Sequence, residues 1–195
     1  MVLDEKVDVK ENSIYNIDIN LLAILLSDKT TGENILWATD MYESYGDNYS
    51  ASSKITINQI TGRNGQVIKP RTKKSKQEQN KRIKNKAEVF TPSWVCNEQN
   101  NLVDNCWFGQ ENVFNKGTGT SWIKKRKKIV FPENKTWIDY VKSKRLEISC
   151  GEAPYLVSRY DTVSGEIIST KDRIGLLDRK LRVIDENIKD KDEWK

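Results

Sequence analysis

Apolar positions Ile14, Ile17, Leu21, Leu22, Ile24 and Leu25 recur as a broad stripe at helical spacing and predict a helix over residues 13–27, with Asn12 or Ser13 as its cap. Residues 28–33, with Thr30, Thr31 and Gly32, break it. Ile35, Leu36 and Trp37 then form a short apolar run that predicts a strand over 33–39, and the alternation of Ile55 and Ile57 predicts a second over 54–60. Further on, Thr91 or Ser93 caps a helix running to residue 104, with Trp94, Val95, Leu102 and Val103 on its apolar side. Residues 115–121 read as loop, and 136–142 as a short helix carrying Trp137, Ile138, Tyr140 and Val141. Residues 145–149 read as a buried strand running into Cys150 and Gly151. Last comes an amphipathic helix capped by Asp172, with Ile174, Leu177, Leu181, Ile184 and Ile188 at spacings of three and four.

Composition narrows the chemistry. The 195 residues are 36% hydrophobic and 31% charged, a rather polar globular composition on the scale of one domain or one and a part. No apolar run approaches the length of a membrane span, and residues 1–12 alternate acids and lysines without a secretory pattern, so no membrane association and a cytoplasmic location are expected. Three cysteines, Cys96, Cys106 and Cys150, are too few and scattered for a disulfide framework. The chain has no histidine, which excludes Ser-His-Asp and Cys-His nucleophiles and histidine-based zinc sites, and no metal is expected.

The net charge of +5 is mild, but its distribution is uneven. Over residues 69–86, Lys73, Lys74, Lys76, Lys81, Arg82 and Lys84 belong to a stretch with a single acid, Glu78, and almost no hydrophobic residue. A second knot, Lys124, Lys125, Arg126, Lys127 and Lys128, follows Trp122 and Ile123. Each stretch is either a solvated linker or turn, or a surface that contacts nucleic-acid phosphates.

Two segments carry a sharper signal. Residues 146–156 join an apolar strand end to Glu147, Ser149, Cys150, Gly151, Glu152 and Tyr155. In an α/β protein such a strand end opens a crevice, where a bare glycine backbone approaches a ligand and an acid accepts a hydrogen bond from an ammonium or hydroxyl group. Earlier in the chain, Val89, Phe90, Thr91 and Pro92 stand just before a predicted helix.

Together, in this order, the two segments resemble those of the adenine-specific DNA methyltransferases of restriction-modification systems. In that family a Val-Phe-Thr-Pro segment helps hold S-adenosylmethionine, and an Asp/Glu-Pro-x-x-Gly-x-Gly-x-Phe turn forms the main cofactor loop. The resemblance implies that Phe90, Thr91 and Pro92 correspond to the first element, and Glu147, Gly151 and Tyr155 to the acid, first glycine and aromatic of the second. Ser149, Cys150 and Glu152 fall within that loop. Ile148 replaces the usual proline and Ala153 the usual second glycine. Residues 79–187 also look like restriction-associated methylase subunits that share a Cys-Gly-Glu-Ala-Pro-Tyr loop.

The family's catalytic Asn/Asp-Pro-Pro-Tyr/Phe loop, which grips a flipped adenine, has no counterpart here: the segments at Pro92 and Pro154 lack the leading Asn/Asp and the second proline. No catalytic residue is therefore assigned, and the chain reads as a front portion or subunit of such a transferase that stops before the residues of the chemistry. The expected fold is an incomplete α/β chain: an α+β portion over 1–68, a basic linker or arm over 69–86, and over 87–195 the start of a Rossmann-like methyltransferase domain. The expected cofactor is S-adenosylmethionine. The expected partners are double-stranded DNA and the remainder of the methyltransferase or a restriction subunit. The alternatives are a non-catalytic DNA-binding protein derived from such an enzyme, and a protein-interaction module built on the helix after Asp172.

Overall fold

The computed structural model describes residues 7–148 and 151–190. They form two compact units, Met1–Lys74 and Ser75–Lys195, and the division falls inside the basic stretch 69–86. The architecture is α+β: among the described residues there are seven α-helices and a single two-stranded antiparallel sheet.

In the first unit the stripe over 13–27 folds as two helices, α1 (Glu11–Ile17) and α2 (Ile19–Leu26). Asp18 interrupts it because its backbone is extended and its side chain accepts a hydrogen bond from Asn20 N at 2.8 Å, ending one helix and capping the next. Asn12, expected as a cap, lies inside α1, and its amide brackets Gly62 instead, accepting from Gly62 N at 2.7 Å and donating to Gly62 O at 3.2 Å. Only Leu22 and Leu26 of α2 are buried, while Ile17, Leu21, Ile24 and Leu25 are exposed.

The strand expected over 33–39 is extended and pairs briefly with residues 53–55 through Trp37 N to Ser53 O and Ile55 N to Ile35 O, around an isolated bridge between Leu36 and Lys54. Ala38, at φ 53°, turns the chain away. The strand expected over 54–60 is overturned after Ile55. Thr56 and Gln59 form a capping box that starts α3 (Ile57–Ile60), with Thr56 N donating to Gln59 Oε1 at 2.7 Å. Leu22, Leu26, Trp37, Tyr49, Ile55, Ile60 and Val67 make the core, with Trp37 and Tyr49 ring centroids 5.1 Å apart.

The second unit begins with α4 (Lys76–Lys86), opened by a Ser75–Glu78 capping box and closed by Ala87 at φ 50°. Next, α5 (Ser93–Phe108) runs four residues beyond the expected end and buries the opposite side from the one expected. Ser93, Cys96, Asn97, Asn100, Asn101, Asp104 and Phe108 face inward, and Trp94, Leu102 and Val103 face out. The reason is a set of polar partners that the helix meets.

Residues 115–121, expected as loop, are instead largely a hairpin. In it β1 (Asn115–Gly117) pairs with β2 (Trp122–Lys124), Asn115 opposite Lys124, and Thr118 N to Ser121 O closes the turn. A Cβ at Gly117 would meet the Glu98 carboxylate, which would have to swing aside to admit it. Helix α6 (Trp137–Lys142) forms as expected, capped by Thr136 with Asp139.

The buried strand expected over 145–149 is not formed over 145–148: Leu146 is 83% and Ile148 79% exposed, with no neighbouring strand for the segment to pair with among the described residues. Helix α7 (Leu176–Asn187) starts after Gly175, not at Asp172, which sits in a 3₁₀ turn and accepts from Ser169 Oγ at 2.6 Å. Its buried residues are Leu176, Arg179 and Val183, whereas Leu177 and Leu181 of the expected stripe are exposed.

The second core therefore has two parts. Phe108, Phe114, Ile129, Tyr140 and Val183 form its apolar part, with Phe108 and Tyr140 rings at 5.3 Å. Beside it lies Arg179, 2% exposed, donating to Asp104 at 2.6 Å, Asn97 at 2.9 Å, Asn101 at 3.0 Å and Ile174 O at 3.0 Å. Asn115 exchanges hydrogen bonds with Asn97, and Tyr140 donates to Asp104 at 3.0 Å. No helix among the described residues is long and apolar enough to cross a membrane.

Candidate functional site

Chain segments distant in sequence meet where the two candidate motifs lie. Residues 88–92 carry the chain from the left-handed cap at Ala87 into α5, with Pro92 at its N-cap position. Pro92 has no side chain to cap the helix, and the task passes to Asp161, which accepts from Ser93 N at 2.6 Å and, through its other oxygen, from Val163 N and Ser164 N. Burial pushes Asp161 up, but these hydrogen bonds outweigh it and hold the carboxyl below its ordinary value. Thr162 Oγ1 donates to Thr91 O at 3.2 Å, so the 161–164 turn grips both sides of Pro92.

On the other side stands the glycine loop. Gly151, at φ 51°, has the left-handed backbone that favours glycine, and a Cβ there would lie 3.2 Å from the Phe90 ring. The Tyr155 hydroxyl lies close to the side chains of Thr91 and Cys96. Burial, the larger cause, raises the Tyr155 pKa, and burial likewise pushes the Cys96 thiol up to about 11, so it is an inert protonated group.

Glu147 is not at a strand tip. Its carboxylate turns into its own loop, accepting from Leu156 N at 3.1 Å. Burial raises its pKa, and the backbone amides of Tyr155 and Leu156 partly oppose the rise. Glu152 accepts from the Tyr160 hydroxyl at 2.6 Å. Ser149 and Cys150 lie outside the described residues.

The loop is fastened to α7 and α5. Leu176 N and Leu177 N donate to Tyr155 O and Leu156 O, and Asn100 Nδ2 bridges Tyr155 O at 2.9 Å and Ile174 O at 3.1 Å. Ser158, 1% exposed, accepts from Ile174 N and Gly175 N and donates to Asp178. Phe90, Thr91 and Pro92 are thus brought beside Glu147, Gly151 and Tyr155 on a framework of α5 and α7. Comparison with protein-family models, curated proteins and solved structures finds no match.

The basic residues are arranged differently from the motifs. Lys73 ends a 3₁₀ turn and Lys74 follows it in the first unit. Lys76, Lys81, Arg82 and Lys84 lie on α4, where about 3.6 residues per turn spreads these positions around the helix and not along one face. Arg82 is paired with Glu88 at 3.2 Å. Lys124 ends β2, and exposed Lys125, Arg126, Lys127 and Lys128 continue from it.

Sequence reasoning missed Asp161, Ser158, Asn100 and Asn115. The polar inward stripe of α5, at positions 93, 97, 100, 101 and 104, is visible in retrospect as helical spacing of one hydroxyl, three uncharged amides and one acid. Asp161 carried a turn signal in Asp-Thr-Val-Ser-Gly, but nothing local ties it to Ser93.

Proposed function

We propose that the second unit is the front portion of an adenine-specific DNA methyltransferase of a restriction-modification system and carries part of its S-adenosylmethionine site. One observation carries this reading: the two segments meet, with Phe90 against Gly151 and the Tyr155 hydroxyl close to the Thr91 side chain. These are the pairs that the resemblance would have to bring together, and nothing about their separation in the sequence requires them to meet.

The residues suit the cofactor. Gly151 offers bare backbone, Phe90 and Tyr155 offer aromatic surface, and Glu147 offers a carboxylate with acceptor capacity beyond its bond to Leu156 N. When bound, S-adenosylmethionine would supply the methyl group transferred to the exocyclic amine of adenine in double-stranded DNA. The role of these residues is to bind and orient: Glu147 holds the loop through Leu156 N and accepts from an ammonium, while Phe90 and Gly151 set the depth of the adenosine contact. The Rossmann-like sheet, the catalytic Asn/Asp-Pro-Pro-Tyr/Phe loop and a cytoplasmic setting belong to the same proposal, the loop being supplied by the remainder of the methyltransferase. Lys76, Lys81, Lys84 and Lys124 to Lys128 contact DNA phosphates in this reading.

Isothermal titration of the chain with S-adenosylhomocysteine tests it. Saturable one-site binding is expected, lost in Gly151→Trp and weakened in Phe90→Ala, with far-UV circular dichroism unchanged. A folded chain that gives no binding heat contradicts the proposal.

A second reading, a protein-interaction module, is favoured by the exposure of Leu146 and Ile148. Its occupant is the remainder of the methyltransferase, whose sheet would pair with residues 145–148. Loss of complex formation on Leu146→Asp/Ile148→Asp, with cofactor binding intact, would favour it.

A further inference from the structure

A cavity of about 890 Å³ lies in the second unit, between the end of β2 and α7, and the methyltransferase motifs do not line it. Trp122, Lys124, Arg126, Lys171 and Arg182 contribute to its walls. A recess of about 50 Å³ shares Trp122, Lys124 and Arg182 with it and adds Arg173.

The walls are held in place from behind. Trp122 Nε1 donates to Asp172 O at 2.8 Å, which fixes the indole. Arg182 donates to Glu186 at 2.7 Å, Lys127 O at 3.0 Å and Phe114 O at 3.4 Å, which fixes the guanidinium and ties it to the basic run. Glu186 also accepts from Ile129 N at 2.8 Å.

Acids and bases in this cleft are unequally provided for. Asp172 is engaged by Ser169, Glu186 by Arg182 and Ile129, and Asp178 of the recess by Ser158, leaving Asp185 as the other acid of the lining. Among the bases, the Arg173 Nε is buried without a hydrogen-bond partner. Lys124 is half-buried, and burial first and the neighbouring Arg182 second lower its pKa. Holding a lysine and an arginine together in a concave, partly dehydrated place costs free energy that a bound anion would offset. The volume falls within the range of roughly 300–1,000 Å³ usual for small-ligand clefts, and the indole supplies a flat face beside the charges.

We propose that this cleft binds a nucleotide through its phosphate, with Lys124, Arg173 and Arg182 around the anion, Arg126 and Lys171 at the approach, and Trp122 against the base. The phosphate comes either from a nucleic-acid strand or from a free nucleotide. In the strand form the proposal deepens the DNA reading above, placing the grip on one pinned cleft where the charge runs alone give only a diffuse basic surface.

The test uses the full chain with two probes, a fluorescein-labelled DNA oligonucleotide read by polarisation and ATP read by calorimetry. Lys124→Glu/Lys171→Glu is compared with a control of equal charge change, Lys29→Glu/Lys142→Glu. The cleft variant is expected to weaken at least one probe more than about tenfold beyond the control, and for the oligonucleotide to lower the salt slope by about two. Weakening of oligonucleotide binding identifies a strand, and weakening of ATP alone identifies a free nucleotide. Equal effects of both variants on both probes, or no saturable binding of either probe, overturns the proposal. Binding of S-adenosylhomocysteine, measured on the same preparations, reads the Phe90–Gly151 patch separately, so failure of either proposal is distinguishable from failure of the other.

Discussion

The two units solve the same problem of closing a core with different materials. The first packs Leu22, Leu26, Ile55, Ile60 and Val67, which differ mainly in shape, around two aromatics, Trp37 and Tyr49. The few polar atoms of these two are the Trp37 N–H, buried without a hydrogen-bond partner, and the Tyr49 hydroxyl, which donates to Gln59 O at 3.3 Å. The second packs an aromatic cluster against Arg179, Asp104, Asn97, Asn101 and Asn115, side chains that must each find a partner once water is removed. An apolar core tolerates a change of shape, whereas a buried polar set tolerates little change of chemistry. The polar set is also what joins α5 to α7, and those two helices carry the segments around Thr91 and Tyr155. Position at the candidate site is therefore tied to the less forgiving of the two cores.

The largest break expected from this contrast is Arg179→Met, which takes from buried Asp104 its closest cationic partner and leaves it only Arg145 at 3.7 Å and the Tyr140 hydroxyl. It should cost about 3–5 kcal/mol in urea unfolding, and Arg179→Met/Asp104→Leu should recover a substantial part. A loss under about 1 kcal/mol would mean that the network is solvated. Next, Asn97→Leu, close in volume, should cost about 1–3 kcal/mol by stranding Asn115 and one Arg179 N–H. The matching change in the first unit, Ile60→Leu, should cost less than about 1.5 kcal/mol by the same assay, and equal losses at the two positions would erase the contrast.

The smallest effect belongs to Asp161→Ala, about 1 kcal/mol for loss of the acceptor at Ser93 N. The depressed folded pKa of Asp161 fixes the sign of its pH dependence. Its contribution is complete above the unfolded value of about 3.9 and is lost as pH falls through the lower folded value. Acid titration of unfolding should therefore show a shallower fall for Asp161→Ala than for the parent chain.

Where local chemistry decides, the sequence is readable. Thr136 with Asp139 announces α6, and the apolar stripe over 13–27 announces helix, although Asp18 divides it. Burial is less readable where partners come from far away. The apolar positions Leu102, Leu177 and Leu181 were expected inside and lie outside, because Arg179 and the amides of α5 satisfy one another and take the interior. Residues 145–148 have strand-like composition, but pairing needs a neighbour, and the hydrogen bonds of Glu147 go to its own loop. For the site, the residue types in Phe90–Thr91–Pro92 and in the Gly151 loop were legible, as was their order. Their apposition was not, since it depends on Asp161, Asn100 and Ser158 acting across long separations.

Hydrogen exchange of the intact chain with and without S-adenosylhomocysteine tests most directly whether these two segments form one cofactor site. Amides of residues 89–96 and 151–158 should slow together on addition of the ligand, while those of residues 20–60 stay unchanged. Ligand that slows neither segment, or only one of them, would contradict a shared site.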